Sequence, residues 1–94
     1  MEITVGLTKA LVHLNSGRKE VIQTMPDESR IAHLMDVLEA AMPGIKSMVF
    51  DSVGAIADSI NIYVNGDNIR YLKGVDTILA DGDKVNIIPA AAAG

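Results

Sequence analysis

Polar and apolar residues alternate through Glu2-Ile3-Thr4-Val5-Gly6-Leu7, which predicts a first strand. The cluster Asn15-Ser16-Gly17-Arg18 predicts a turn, and Lys19-Glu20-Val21-Ile22-Gln23 a second, short strand. Residues 2–24 read as a loose hairpin; Thr8 to Leu14 fit either a strand extension or an irregular arm. Met25-Pro26-Asp27-Glu28-Ser29 leads into a helix. Pro26 breaks the strand, and Asp27 or Ser29 can cap the first free amides. Ile31, Leu34, Met35, Leu38, Ala41 and Met42 then recur at spacings of three and four, a single helical stripe. Pro43-Gly44 ends it, glycine suiting a left-handed cap. Ile45 to Ser59 has no clear period and reads as a loop with room for one short helical turn. Ile60-Asn61-Ile62-Tyr63-Val64 returns to period two. Asn65-Gly66 follows and predicts a type I′ hairpin, whose central residues both need positive φ. Asn68-Ile69-Arg70-Tyr71 reads as the returning strand and Asp76-Thr77-Ile78-Leu79 as a helical turn. Asp81-Gly82-Asp83 is a tight turn into a last strand, Lys84 to Ile88, which Pro89 is expected to stop.

The order strand, strand, helix, strand, strand, strand predicts an α+β fold, with one main helix over a mixed sheet of about four to five strands. It suits a β-grasp, in which the last strand lies centrally beside the first. A central place explains why Val85, Ile87 and Ile88 are all apolar. Residues 1–88 form the expected domain, and 89–94 a flexible tail.

Composition narrows the function classes. The 94 residues are 49% hydrophobic, enough for one globular domain. No apolar run approaches the roughly 20 residues of a membrane span. The N-terminus lacks a basic segment before an apolar one, so no secretory signal is expected and the expected location is cytoplasmic. A net charge of −4 argues against nucleic acid or an anionic membrane as partner. The absence of cysteine removes disulfides, thiolate metal sites and side-chain persulfides.

Candidate chemistry is sparse. His13 and His33 lie far apart in sequence, and neither has a carboxylate at ligand spacing; they read as ordinary surface or rim histidines. Asp81 and Asp83 flank a turn glycine, where their expected work is bonding to local amides. Ser29 and Ser47 have no evident base, and Gly6, Gly17 and Gly44 form no phosphate cradle. Met35 and Met42 fall on the helix stripe as core filler, whereas Met48 could belong to either core or contact surface. No catalytic residue, metal site or bound cofactor is expected, which leaves the chain end. Pro89-Ala90-Ala91-Ala92-Ala93-Gly94 carries small side chains and no charge before the terminal carboxylate.

Two runs give that end a meaning: Ile60-Asn61-Ile62-Tyr63-Val64-Asn65-Gly66-Asp67-Asn68-Ile69-Arg70, and Ala80-Asp81-Gly82-Asp83-Lys84-Val85-Asn86-Ile87-Ile88-Pro89 followed by small residues and glycine. Together they resemble the ubiquitin-like sulfur carriers. That group includes the small subunit of molybdopterin synthase, the thiamine sulfur carrier and, most similar, the carrier for cysteine biosynthesis. The motif-level likeness covers the C-terminal third, and the element order fits throughout. The resemblance implies a ubiquitin-like β-grasp protein that is a co-substrate, not an enzyme. A ubiquitin-activating-type enzyme would use ATP to adenylate the carboxylate of Gly94, and sulfide or a persulfide would convert it to a thiocarboxylate. Ala90, Ala91, Ala92 and Ala93 would thread a narrow channel without side-chain clash. The family usually ends in Gly-Gly, whereas this chain ends in Ala93-Gly94. That ending resembles a carrier for homocysteine synthesis, which feeds a pyridoxal-phosphate-dependent sulfhydrylase. Trimming by a metallopeptidase, as in some relatives, would instead put the sulfur on Ala93. Sulfur supply for molybdopterin or thiamine, a protein modifier, and an interaction module with an inert tail are the alternatives. The sheet face beside the tail is the expected partner surface, with Ile62, Val64, Arg70, Tyr71 and Ile88 as candidates and Lys73 a nearby cation.

Overall fold

The computed structural model describes residues 1–90. Its elements are β1 (Glu2–Leu7), β2 (Glu20–Thr24), α1 (Ile31–Ala41), α2 (Ile45–Val49), β3 (Ile60–Val64), β4 (Asp67–Asn68) and β5 (Lys84–Pro89). The strands form one mixed sheet in the order β2-β1-β5-β3-β4. β5 runs parallel to β1 and antiparallel to β3, so the last strand is central and lies beside the first, the expected β-grasp arrangement. Among the described residues no helix is long and apolar enough to cross a membrane.

Alternation gives the sheet one covered face. Ile3, Val5, Ile62, Val64, Val85 and Ile87 are buried and share a core with Ile31, Leu34, Met35, Leu38 and Met42 on the helix side. The stripe holds except at Ala41, which is exposed at the end of α1. The arm between β1 and β2 is irregular, with a 3₁₀ turn at Val12–Asn15 and Leu11 buried as its anchor.

Four details differ from the sequence expectations, each for a local reason. Neither Asp27 nor Ser29 caps α1. The Ser29 hydroxyl donates to the Pro26 carbonyl at 2.7 Å, and the Ile31 amide donates to the Thr77 carbonyl at 3.1 Å. Leu79 N–H returns a bond to the Ser29 carbonyl at 2.8 Å, so Thr77–Leu79 is extended and the helical turn falls earlier, at Gly74–Asp76. The hairpin turn is as expected, with φ of 52° at Asn65 and 91° at Gly66. The strand it returns, however, ends after Asn68. Ile69 turns fully into the core, Asn68 Oδ1 accepts the Arg70 amide at 2.9 Å, and Ile69–Tyr71 winds into a 3₁₀ turn. An asparagine side chain has displaced a ladder bond here.

Pro89 does not stop β5. The ladder between β3 and β5 is bonded at Asn65–Lys84 and again at Ser59–Ala90. Bonded pairs alternate in an antiparallel ladder, so Pro89, opposite Ile60, occupies a non-bonded position. Its missing N–H costs the ladder nothing.

The junction of α1 and α2 carries a pH-dependent contact. Gly44, at φ 102°, and Lys46 donate their amides to the two carboxylate oxygens of Glu39, each at 2.9 Å. The Gly44 bond and then the Lys46 bond hold the Glu39 carboxyl below the usual glutamate range. A carboxyl whose pKa falls on folding contributes stability above its unfolded pKa and loses it as the pH drops through the folded one. Glu39→Ala is therefore expected to lower the urea midpoint at neutral pH. Its gap to wild type should narrow as the pH falls below the ordinary glutamate value of about 4.3 and close as the folded carboxyl, held lower, protonates in turn. A gap that widens on acidification would contradict this.

Candidate functional site

β5 carries the chain out of the core. The strand is held on both sides, and its last anchor is the Ala90 amide, which donates to the Ser59 carbonyl at 2.7 Å. Ala91, Ala92, Ala93 and Gly94, the rest of the expected threading segment and its reactive end, lie outside the described residues. Ser59 itself sits in a tight turn closed by the Ile60 amide on the Ala57 carbonyl at 3.0 Å.

The sheet's outer face lies beside this exit. Its middle row crosses all five strands: Glu20, Gly6, Asn86, Tyr63 and Asn68 are successive register partners. A β-carbon at Gly6 would stand 2.1 Å from Asn86 Oδ1, so a larger residue there would make the Asn86 side chain turn aside. Lys84 Nζ lies 3.0 Å from Glu20 Oε2, which neutralises that corner. Nearer the tail are Ile88 and its partner Asn61. Tyr71 and Leu72 project beyond Asn68 and with Tyr63 line a shallow open hollow. Tyr71 is 88% exposed and Ile88 37%, large apolar surface of the kind found in docking patches.

The five candidate partner residues separate here. Tyr71 and Ile88 face out. Ile62 and Val64 do not: at 1% and 7% exposure they belong to the core and can form no docking surface. Asn61 and Tyr63, the alternate residues of the same strand, face outward instead. The signal for this was present, since the apolar phase of a strand in a one-sided sheet is the phase that the helix covers. Arg70 is exposed but occupied: its Nη2 donates to the Ala57 carbonyl at 3.0 Å and the Ile60 carbonyl at 2.8 Å. Lys73 is exposed.

Asp81 and Asp83 are structural. Asp81 Oδ1 accepts the Glu2 amide at 2.7 Å, tying the turn to β1. Asp83 accepts the Ala80 amide and the Asn65 side-chain amide, both at 2.8 Å, and thus joins two turns. His13 is exposed, and His33 Nδ1 lies 3.2 Å from the Ser29 hydroxyl. Among the described residues no three His, Asp or Glu side chains gather at metal-binding distance. A cleft on the helix side, between Ala32, Asp36, Lys46, Phe50 and Val75, includes no residue of the outer sheet face.

Residues 9–94 match the ThiS family. This chain belongs to the ThiS family. It is 34% identical over 96 aligned residues to the sulfur carrier protein CysO of Mycobacterium tuberculosis, covering 100% of each chain. It is 28% identical over 78 residues to small archaeal modifier protein 3 of Haloferax volcanii, covering 83% of this chain and 84% of that one. It also superimposes with a TM-score of 0.85 on a chain of the Amycolatopsis orientalis BexX/CysO complex, at 28% identity, covering 98% and 99% of the two chains. The ThiS-family assignment agrees with the topology, the central β5 and the small-residue ending. The fold class and the sulfur-carrier family read from the sequence both stand.

Proposed function

We propose that this protein carries sulfur on its C-terminal carboxylate for sulfur amino-acid synthesis in the cytoplasm, as a co-substrate of partner enzymes. The full-length likeness to a sulfur carrier carries this reading. The architecture supports it, because the central strand carries the chain end out of the sheet past a last backbone bond to Ser59.

The chemistry follows from the poor leaving group of a carboxylate. On a ubiquitin-activating-type partner, a Gly94 carboxylate oxygen attacks the α-phosphorus of ATP and pyrophosphate leaves. Hydrosulfide then adds to the acyl carbon of the adenylate. The acyl C–O bond breaks, AMP departs with its electron pair, and a thiocarboxylate remains. The ATP is bound by the partner. A sulfur-accepting enzyme, of the pyridoxal-phosphate-dependent sulfhydrylase kind, takes the sulfur onward. Likeness to CysO over the whole chain favours the cysteine branch over the homocysteine branch that the Ala93-Gly94 ending resembles.

Incubation with ATP, sulfide and the activating enzyme is expected to raise the intact mass by the difference between sulfur and oxygen. The same gain on a chain shorter by one glycine would assign the sulfur to Ala93 after metallopeptidase trimming. The relative named as a modifier favours a second reading, in which the same adenylate forms isopeptide bonds. Lysine adducts in lysate without any thiocarboxylate would establish that reading and overturn the first.

A further inference from the structure

We propose that Arg70 is a positioning residue that fixes the direction in which the C-terminal segment leaves the domain. The inference rests on the reading of that segment as the reactive group.

The argument starts from what β4 leaves undone. Continued at its own register, the returning strand would have brought Tyr71 opposite Ile60. It ends at Asn68 instead, so no strand reaches the outer side of β3 at Ile60. Ile60 occupies a non-bonded position toward β5, where its partner is Pro89. Its carbonyl therefore points away from β5, to the side that β4 has vacated. The Arg70 side chain fills this place, its Nη2 donating to the Ile60 carbonyl at 2.8 Å. The same nitrogen donates to the Ala57 carbonyl at 3.0 Å. A guanidinium nitrogen of this kind has two hydrogens, so both are committed.

Ala57 and Ile60 are the two ends of the turn that holds Ser59, and Ser59 supplies the carbonyl for Ala90, the last anchored residue of the tail. Arg70 thus braces both ends of the turn on which the exit bond is made. The three residues of its 3₁₀ turn divide the work: Ile69 is buried in the core, Arg70 braces the exit turn, and Tyr71 lies 88% exposed on the docking face. A brace built this way couples the direction of the tail to the surface that a partner grips. It should act on the reaction of the bound chain more than on docking, because reacting groups held in line gain most from restricted freedom.

Two measurements on the full chain test this. In Arg70→Ala, NMR hydrogen exchange at the Ala90 amide should accelerate by about tenfold, the scale of one charge-assisted hydrogen bond. Exchange at Val85 and Ile62 should stay unchanged. With the activating enzyme, kcat for thiocarboxylation should fall by about tenfold while KM stays within about twofold. Ala90→Pro removes the exit bond itself and should lower kcat similarly. The double variant should be no worse than the poorer single, since both act through one contact.

Unchanged exchange at Ala90 would overturn the proposal. So would faster exchange spread across the whole sheet, which marks a merely structural role. A raised KM at constant kcat would also overturn it, placing Arg70 in the docking contact. A wild-type chain that gains no sulfur overturns the carrier reading instead; exchange at Ala90 then decides separately whether Arg70 holds the segment.

Discussion

Leucine at both Ala91 and Ala92 is expected to slow sulfur loading by about 10²-fold or more while leaving the domain's stability unchanged. From Ala90 to Gly94 no side chain exceeds a methyl group, so no side chain limits passage through a narrow site. Two isobutyl groups make the segment wider than the backbone-plus-methyl profile it now has. An adenylating site must place the acyl carbon against the α-phosphorus in line. A displacement of about 1 Å at the reacting centre is enough to cost about 10²-fold. Stability should hold because the buried hydrophobic core of the described residues runs from Ile3 to Ile87. Substitutions away from such features usually stay within about 0.5 kcal/mol. Initial rates of mass-detected thiocarboxylation, beside urea midpoints of the same samples, separate the two effects. An unchanged rate in the double leucine chain would mean that the segment is not threaded at all.

The elements most legible in the sequence are those whose cause is local. The helix could be read because Ile31, Leu34, Met35, Leu38 and Met42 recur at helical spacing, and the hairpin because Asn65-Gly66 supplies the positive φ values that its turn demands. Features set by distant partners were not legible. Pro89 looks like a stop until its register against Ile60 is known, and that register is decided 29 residues away along the chain. The length of β4 depends on whether Asn68 bonds the Arg70 amide or a neighbouring strand, a competition between two reasonable partners. The cap of α1 comes from Thr77, which no local motif announces.

The candidate site was legible in part for the same reason. The small-residue ending is a property of sequence alone, so the proposed reactive end could be named from it. The proposed docking face is a property of strand phase relative to the helix. Choosing apolar residues for it selected Ile62 and Val64, which the helix covers, and passed over Asn61 and Tyr63, which it leaves open. In the sequence Arg70 reads as a residue of the partner surface. Its engagement with Ala57 and Ile60 follows only from the early end of β4.

Adjacent residues of β5 give the sharpest test of that phase. Ile87 is fully buried between Leu7 of β1 and Ile62 of β3, in the middle of the sheet. Ile87→Ala removes its buried methylene and methyl groups and leaves a cavity that neighbouring strands, fixed by their ladders, cannot close. The expected cost is about 3 kcal/mol, within the range for isoleucine truncation in a core. For a domain of this size that corresponds to a drop in Tm on the order of 15 °C. Ile88 is the next residue and is 37% exposed on the outer face. Ile88→Ala should shift Tm by no more than a few degrees. Its effect should appear instead as a higher KM toward the activating enzyme, because truncating an apolar docking contact costs binding and not folding. Thermal melts and steady-state kinetics on the two single variants decide the matter. A large loss of stability from Ile88→Ala, or a small one from Ile87→Ala, would mean that the strand presents the opposite face.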